Sequence, residues 1–205
     1  MLHMIQIFRP IPHFAVLGAL TMLAGCGQGL VATDTPKRIT QMSLAQGDIT
    51  LTAPRGYCVD KRAVKSRKQD SFAVLARCDA LGVRGVFPTQ DLALITVTTV
   101  IDPTGTQPDA KSLTQSAKPA KVMETQSLKG RPFVLLEDPD HNVNGASPRH
   151  WRSAFALNGH LVGLALYASE GSDALTAQGA NLLSDLATKT IKASATPTGM
   201  PKKPD

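Results

Sequence analysis

The chain has 205 residues, of which 42% are hydrophobic, 4% aromatic and 19% charged, and its formal net charge is +6. This length is sufficient for one domain with a hydrophobic core. The modest positive charge suits contact with anionic lipid head groups or cell-wall polymers, but it is equally common for solubility and excludes no fold. The sequence has no Gly-x-Ser-x-Gly elbow and no phosphate-binding loop in a strand-to-helix context, which argues against serine hydrolases and nucleotide-binding enzymes.

The first 25 residues have the organisation of a secretory signal. A short segment that ends in the cation Arg9 precedes an uninterrupted apolar run, Phe14–Leu23. These ten residues are too few to cross a bilayer, because a transmembrane helix needs about 20 apolar residues. We therefore predict that residues 1–25 are a signal peptide and take no part in the fold.

The signal ends in Leu23-Ala24-Gly25-Cys26, which resembles the lipobox of bacterial lipoproteins. The resemblance implies cleavage before Cys26 and acylation of its thiol and its new amine by fatty acids such as palmitate. Each buried methylene contributes about 0.8 kcal/mol, so two or more acyl chains hold a protein stably on a membrane. Gly27 rather than Asp after the cysteine favours the outer membrane, with the protein facing the periplasm, where nucleic acid is not an expected partner. The alternative is an ordinary cleaved signal with an incidental cysteine.

Composition divides the remaining chain into three parts. Residues 26–47 mix Gly, Thr and Gln without an apolar period and are interpreted as a lipidated N-terminus with a flexible tether. Residues 48–193 have the size of one globular domain, and residues 194–205, rich in Pro and Lys, are predicted to be a disordered tail.

Two cysteines, Cys58 and Cys78, remain once Cys26 carries lipid. In an oxidising periplasm we expect them to form one disulfide, whose loop of about 20 residues would stabilise the fold by roughly 3 kcal/mol. The sequence has no Cys-x-x-Cys motif, and no histidine lies near either cysteine, so a metal or redox role is poorly supported.

The domain begins with signals for strands. Ile49, Leu51 and Ala53 alternate with threonines, as in a half-buried strand. Further predicted elements are central strands at Ser71–Cys78 and Leu92–Ile101, a short helix at Asp109–Ala117, and strands at Val122–Gln126 and Phe133–Glu137 joined near Lys129-Gly130.

The strongest local signal is Asn158-Gly159 between two alternating runs within Trp151–Ala168. These two residues readily adopt the positive φ angles of a type I′ hairpin turn. The predicted register pairs Leu157 with His160, Phe155 with Val162, Ser153 with Leu164 and Trp151 with Leu166.

A helix is predicted after the hairpin. Ser172 is placed to cap it, and apolar residues at three-to-four spacing continue to about Lys192. Gly179 would cost about 1 kcal/mol relative to Ala in a helix, so we expect a close approach of helix and strand there.

This order of elements, with the turn Ala53-Pro54-Arg55-Gly56-Tyr57 after the first strand, resembles the PsbP-type sandwich of extracytoplasmic proteins. The predicted fold class is therefore α+β, an antiparallel sheet meander with a C-terminal helix packed on it. The resemblance implies a protein that binds or assembles rather than catalyses, and it transfers no functional residue to this chain.

A basic run lies inside the predicted disulfide loop and is a candidate for binding an anionic surface such as phospholipid, lipopolysaccharide or an acidic partner. Its cations are Lys61, Arg62, Lys65, Arg67 and Lys68. The alternative interpretation is a solvated loop whose charge is partly balanced by Asp60 and Asp70.

Asp138, Asp140 and Asn142 recur at alternate positions, as in the first half of an EF-hand calcium loop. The pattern then fails, because Val143 stands where the loop needs glycine and Arg149 stands where a bidentate glutamate is needed. An ordinary turn is therefore preferred to a calcium site, and no metal or other cofactor is predicted.

The mature chain has three histidines, His141, His150 and His160, at a spacing that matches no helical ligand pair. We therefore interpret them as separate histidines rather than a zinc site.

The sequence as a whole favours a membrane-anchored periplasmic lipoprotein that acts as a non-enzymatic binding or assembly module, with an envelope protein or an anionic envelope polymer as partner. Two alternatives remain: a passive anchored spacer, and a hydrolase with a dispersed active site around Asp138, Asp140, His141 and His150.

Overall fold

The computed structural model describes residues 38–67, 69–82, 92–140 and 143–195. The chain divides into two units, Met1–Thr35 and Pro36–Asp205, and every described residue belongs to the second. The predicted signal peptide, Cys26 and residues 196–205 of the predicted tail lie outside the described residues.

Antiparallel strands dominate the described part of the chain. The strands are β1 Gln41–Leu44, β2 Ile49–Thr52, β3 Tyr57–Val59, β4 Lys65–Ser66, β5 Asp70–Arg77, β6 Ala93–Ile101, β7 Lys121–Leu128, β8 Arg131–Glu137, β9 Arg149–Leu157 and β10 His160–Ala168. The helices are α1 Ala110–Ser116 and α2 Ala177–Ala195.

Eight strands form one sheet in the order β3-β5-β6-β10-β9-β8-β7, with β4 also paired to β5, while β1 and β2 form a separate hairpin. The predicted fold class is confirmed: the protein is an α+β antiparallel sheet with a C-terminal helix packed on it. Strands β5 and β6 lie inside the sheet, as expected for the two β-branched runs.

The main core lies between one face of the sheet and a layer made of α2 and the β1–β2 hairpin. Trp151, Phe133 and Phe155 of the sheet are among its largest fully buried side chains. Leu183 and Leu186 of α2 meet this face, because apolar residues at three-to-four spacing form one stripe on a helix.

The opposite face of the sheet carries the shorter helix. Ala117 after α1 packs with Val134 and Leu136 of β8 in a second, smaller cluster. The carboxylate of Asp109 accepts the Ser112 backbone N–H at 2.7 Å, and the Ser112 hydroxyl accepts the Asp109 N–H at 3.2 Å, which closes a capping box at the start of α1.

The β9–β10 hairpin has the predicted register, with the four predicted pairs present. Asn158 and Gly159 take positive φ angles of 50° and 75° at its turn. The amide of Asn158 also donates to the Asp48 carbonyl at 2.8 Å, which ties the turn to the β1–β2 hairpin.

The folded domain begins before residue 48, within the segment 26–47 that was interpreted as a tether. Residues 41–44 form β1, and Leu44 and Ala45 are 0% and 2% exposed. The Ala45 N–H donates to the Ser71 hydroxyl at 3.0 Å. Residues 41–47 therefore belong to the domain, because pairing with β2 buries residues whose own pattern is weak.

The C-terminal helix starts and ends at positions other than those predicted. Ser172 caps a short 3-10 turn, Asp173–Leu175, and the Thr176 hydroxyl accepts the Gln178 N–H at 3.3 Å where α2 begins. The Trp151 indole N–H donates to the Thr176 carbonyl at 3.0 Å, and this bond holds the break between the 3-10 turn and α2. At the other end α2 continues to Ala195 and so includes Ser194, the first residue of the predicted tail.

Hydroxyl groups of α2 complete the backbone bonding of β2. The backbone N–H groups of Thr50 and Thr52 donate to the hydroxyls of Ser194 and Thr190 at 2.9 and 3.2 Å. The helix therefore pairs with an edge of the β1–β2 hairpin as well as covering the sheet. Neither helix of the described segments is long and apolar enough to cross a membrane.

The close approach expected at Gly179 is present. A Cβ at this position would lie 1.9 Å from the Ala174 carbonyl oxygen and 2.7 Å from Cδ1 of Trp151. Both distances are far below van der Waals contact, so only glycine lets α2 reach the sheet here.

Gly179→Ala should therefore lower the free energy of unfolding by about 1–3 kcal/mol, because overpacking outweighs the helix propensity that alanine adds. Thermal unfolding followed by circular dichroism measures the loss. Asn181→Ala, at an exposed position of the same helix, is the matched control and should be neutral. Equal stability of the two variants would contradict the close packing.

Candidate functional site

The Cys58–Cys78 disulfide is present in the structure, with the two Cα atoms 4.9 Å apart and a sequence separation of 20. It joins β3 to the residue that follows β5, next to the backbone bond from the Cys78 N–H to the Gly56 carbonyl at 2.9 Å. The loop between the cysteines thus starts and ends at one edge of the main sheet.

The predicted basic loop is exposed, and part of its charge is neutralised. Arg62 donates twice to Asp60, at 3.0 and 3.1 Å, and these bonds hold the pKa of Asp60 below its usual value. Arg67 lies 4.0 Å from Asp70. Lys61 and Lys65 are also exposed, and Lys68 lies outside the described residues.

The residues considered for a calcium site or a hydrolase site differ in their exposure to solvent: Asp140 is exposed, whereas His150 is buried. Asp140 is exposed and its N–H donates to the Asp138 carboxylate at 3.2 Å, the bond of an ordinary turn. His150 is 0% exposed, accepts a hydrogen bond from Arg152 at 3.0 Å and stacks on Tyr167. Asn142 and His141 lie outside the described residues.

His150 and His160 lie at opposite ends of the β9–β10 hairpin, because His150 pairs with Tyr167 and His160 pairs with Leu157. The His160 ring lies 3.0 Å from the carboxylate of Asp48. In the described ranges no three His, Cys, Asp or Glu side chains are grouped so that they could hold a metal ion.

One cleft of about 500 Å³ lies beside α1, over the outer face of β9 and β10. Gln107 and Asp109, two polar residues of its lining, already make hydrogen bonds to the neighbouring backbone. Gln107 accepts from the Ala156 N–H at 3.1 Å and donates to its carbonyl at 3.0 Å, and Asp109 caps α1. These side chains hold the loop before α1 in place.

A second cleft, of about 590 Å³, lies beside the disulfide and is strongly basic. We call it the basic cleft. Its cations are Arg38, Arg55, Arg77 and Lys189, and its remaining lining residues are Thr40, Ala53, Pro54, Gly56, Tyr57, Cys78 and Asp79. Four cations against one carboxylate make this the candidate functional site.

Four separate segments bring these cations together. Arg38 precedes β1, in a segment held by the bond from the Val59 N–H to the Ile39 carbonyl at 2.7 Å. Arg55 lies in the turn between β2 and β3, where Gly56 takes a φ of +84°. Arg77 ends β5, and Lys189 comes from α2.

Two of the four cations have carboxylate partners. Arg77 lies 2.9 Å from Asp79, and this pairing holds the pKa of Asp79 below its usual value. Lys189 lies 2.9 Å from Asp185, one helical turn earlier. Arg38 and Arg55 are exposed and make no ion pair with any described residue.

Tyr57 forms part of the wall of the basic cleft, opposite Arg77 in the register of β3 and β5. Burial raises the pKa of its hydroxyl, and the positive charge of Arg77 opposes that shift. The phenol is therefore neutral at physiological pH, and its O–H is a hydrogen-bond donor next to the cations.

Sequence reasoning did not identify this cleft. Arg38 and Lys189 are 151 positions apart, and none of the four cations belongs to a charge run. The one local signal was the turn at Pro54-Arg55-Gly56-Tyr57, which was used only for its resemblance to a fold.

No protein-family model and no curated protein matches this sequence. Solved structures that match include a mutant of the protein Mog1, at 12% identity and a TM-score of 0.43, with 74% of this chain and 95% of that chain covered. They also include the solution structure of cyanobacterial PsbP (CyanoP) from Synechocystis sp. PCC 6803, at 16% identity and a TM-score of 0.36, with 81% and 96% covered. The neighbours thus include a protein of the PsbP type, and at these values they transfer no functional residue.

Arg77→Gln should raise the pKa of Tyr57 further, because it removes the positive charge and leaves Asp79 unpaired nearby. The folded-state pKa lies above the unfolded value of about 10, so the stabilisation by the neutral phenol is complete below pH 10 and is lost above the folded-state value. Tyrosinate absorbance during a pH titration measures the shift, and subtraction of a Tyr57→Phe titration isolates Tyr57. Arg77→Lys keeps the charge and should stay close to the original value, whereas a lower pKa in Arg77→Gln would refute the assignment.

Replacing Cys58 and Cys78 together by Ala should lower the free energy of unfolding by about 3 kcal/mol, because the closed loop restricts the unfolded chain. Urea unfolding measures the difference, and the reduced natural chain should match the variant. Thiol labelling of the denatured, unreduced chain should leave both cysteines unmodified. Quantitative labelling of either one would show that the bond is absent.

Proposed function

We propose that the protein is a bacterial lipoprotein, held by acyl groups on Cys26 in a membrane facing the periplasm, with the outer membrane as the favoured site. Its domain acts there as a non-enzymatic binding or assembly module. Its partner is an anionic component of the envelope or an envelope protein.

The observation that carries the proposal is the disulfide. The chain has three cysteines, and Cys58 and Cys78 are joined to each other. Structural disulfides persist in oxidising compartments and are rare in the cytosol, which supports an extracytoplasmic location. The remaining cysteine, Cys26, is the one in the lipobox-like sequence.

Binding is supported by the basic cleft. Its walls carry guanidinium and ammonium groups and a neutral phenol, all of which donate hydrogen bonds to anions. The basic loop around Lys61 and Lys65 remains a second candidate surface on the same domain.

Cys26→Ser should abolish acylation. The intact mass of the natural mature protein should show fatty acyl groups on an N-terminal Cys26, and the variant should carry none and move from the detergent phase to the aqueous phase. The double variant Cys58→Ser with Cys78→Ser should keep its acyl groups, which shows that the lipid depends on Cys26 alone. A natural protein without any acyl adduct would overturn the proposal.

A further inference from the structure

We infer that the basic cleft binds the phosphate of an anionic phospholipid head group in the leaflet that holds the anchor. This inference rests on the proposed lipid anchor, which brings the cleft to that leaflet. It assigns a ligand class and four binding residues to the domain: Arg38, Arg55, Arg77 and Lys189.

The basic cleft carries positive charge that its own carboxylate does not balance. The cleft has four cations and one carboxylate in its lining, and that carboxylate, Asp79, is paired with Arg77. Asp185 beside Lys189 is the other acidic partner at this place. Arg38 and Arg55 have no carboxylate partner among the described residues, so they are placed to hold an anion. Arginine presents a planar fork of donors that matches a phosphate.

The shape of the basic cleft also suits a head group. A phosphate head group fits a concave site of about 590 Å³. Two walls of the site are cross-linked, because the disulfide joins β3 to the chain after β5 and the Cys78 N–H bonds to the Gly56 carbonyl. A rigid site loses little conformational entropy when it binds, which favours affinity.

The basic cleft includes a residue close in sequence to the proposed anchor. Arg38 lines the cleft and is only twelve positions after Cys26. Even a fully extended chain spans at most about 3.6 Å per residue, so the lipidated residue lies no more than about 43 Å from Arg38 along the chain. An anchor at Cys26 would therefore leave Arg38 within reach of the head groups of its own leaflet.

The basic loop lies at a different place on the same domain. Lys65 pairs with Phe72 of β5, whereas Tyr57 in the cleft pairs with Arg77, so the two sites lie roughly 17 Å apart along the strand. The loop lies further along the chain from Cys26 than Arg38 does, and its Lys61 and Lys65 are exposed without an ion pair to any described residue, as Arg38 and Arg55 are. It therefore offers a matched control with the same charge in the same domain.

The test uses the chain from residue 27, secreted with an ordinary signal and purified without acyl groups. The core residues that the structure describes lie between Ile39 and Ile191, so this chain keeps all of them. Binding is measured by co-sedimentation with vesicles of phosphatidylglycerol and phosphatidylethanolamine, and with neutral vesicles in which phosphatidylcholine replaces phosphatidylglycerol.

The natural chain should bind the anionic vesicles and not the neutral ones. Arg38→Gln with Arg55→Gln should weaken binding roughly 25-fold, about fivefold for each cation removed near a membrane surface. Lys61→Gln with Lys65→Gln removes the same charge from the basic loop and should change binding less than about twofold. Unchanged circular dichroism and unfolding midpoints show that both double variants fold.

An equal loss in the two double variants would overturn the inference, since it would mean general attraction of a basic protein to an anionic surface. No loss in either variant, or equal binding to neutral vesicles, would also overturn it. Inorganic phosphate provides a further arm: if millimolar phosphate binds the chain and this binding is lost in Arg38→Gln with Arg55→Gln, while vesicle binding is the same with and without phosphate, the cleft is a site for free anions rather than for a lipid head group.

A second measurement locates the site directly. Short-chain phosphatidylglycerol below its micelle concentration should shift the backbone amide resonances of Arg55, Gly56 and Tyr57. Shifts confined to residues 61–67 would contradict the inference. Because this chain carries no acyl groups, both measurements are independent of the Cys26→Ser experiment, and failure of the anchor can be distinguished from failure of the cleft.

Discussion

The contact between Trp151 and the start of α2 is the constraint on which the rest of this structure depends. The indole N–H donates a hydrogen bond to the Thr176 carbonyl at 3.0 Å, and the ring occupies the space that a side chain at position 179 would need. The fully buried indole thus determines both where α2 begins and how closely it approaches the sheet. A larger residue at position 179 would push the helix away from the core.

The direction of α2 in turn determines the position of the β1–β2 hairpin and of the cleft. From Gly179 the helix runs ten residues, about 15 Å, to Lys189. The hydroxyls of Thr190 and Ser194 then bind the backbone of β2, whose end leads into the turn that carries Arg55. Packing in the core therefore places Lys189 of the helix and Arg55 of the turn in the lining of one cleft.

The disulfide and the core act on opposite sides of the basic cleft. The core holds the wall formed by α2, and the Cys58–Cys78 bond holds the wall formed by β3 and the end of β5. Like charges repel when they are held together, so the cations need a scaffold that supports them in the absence of ligand. Rigid walls provide that support, and an anion in the cleft would relieve the repulsion.

The local sequence alone was sufficient for the α+β class, for the β9–β10 register and for the disulfide pairing. Asn158-Gly159 defines its turn through backbone conformation, and Cys58 and Cys78 are the two cysteines of the predicted globular domain, so these features needed no information from distant residues. Only the tertiary structure decided that residues 41–47 belong to the domain, that α2 begins at Ala177, and that Arg38, Arg55, Arg77 and Lys189 share one cleft. These features arise from contacts between residues far apart in the chain, such as Ala45 with Ser71 and Trp151 with Thr176, and periodicity and propensity do not report such contacts.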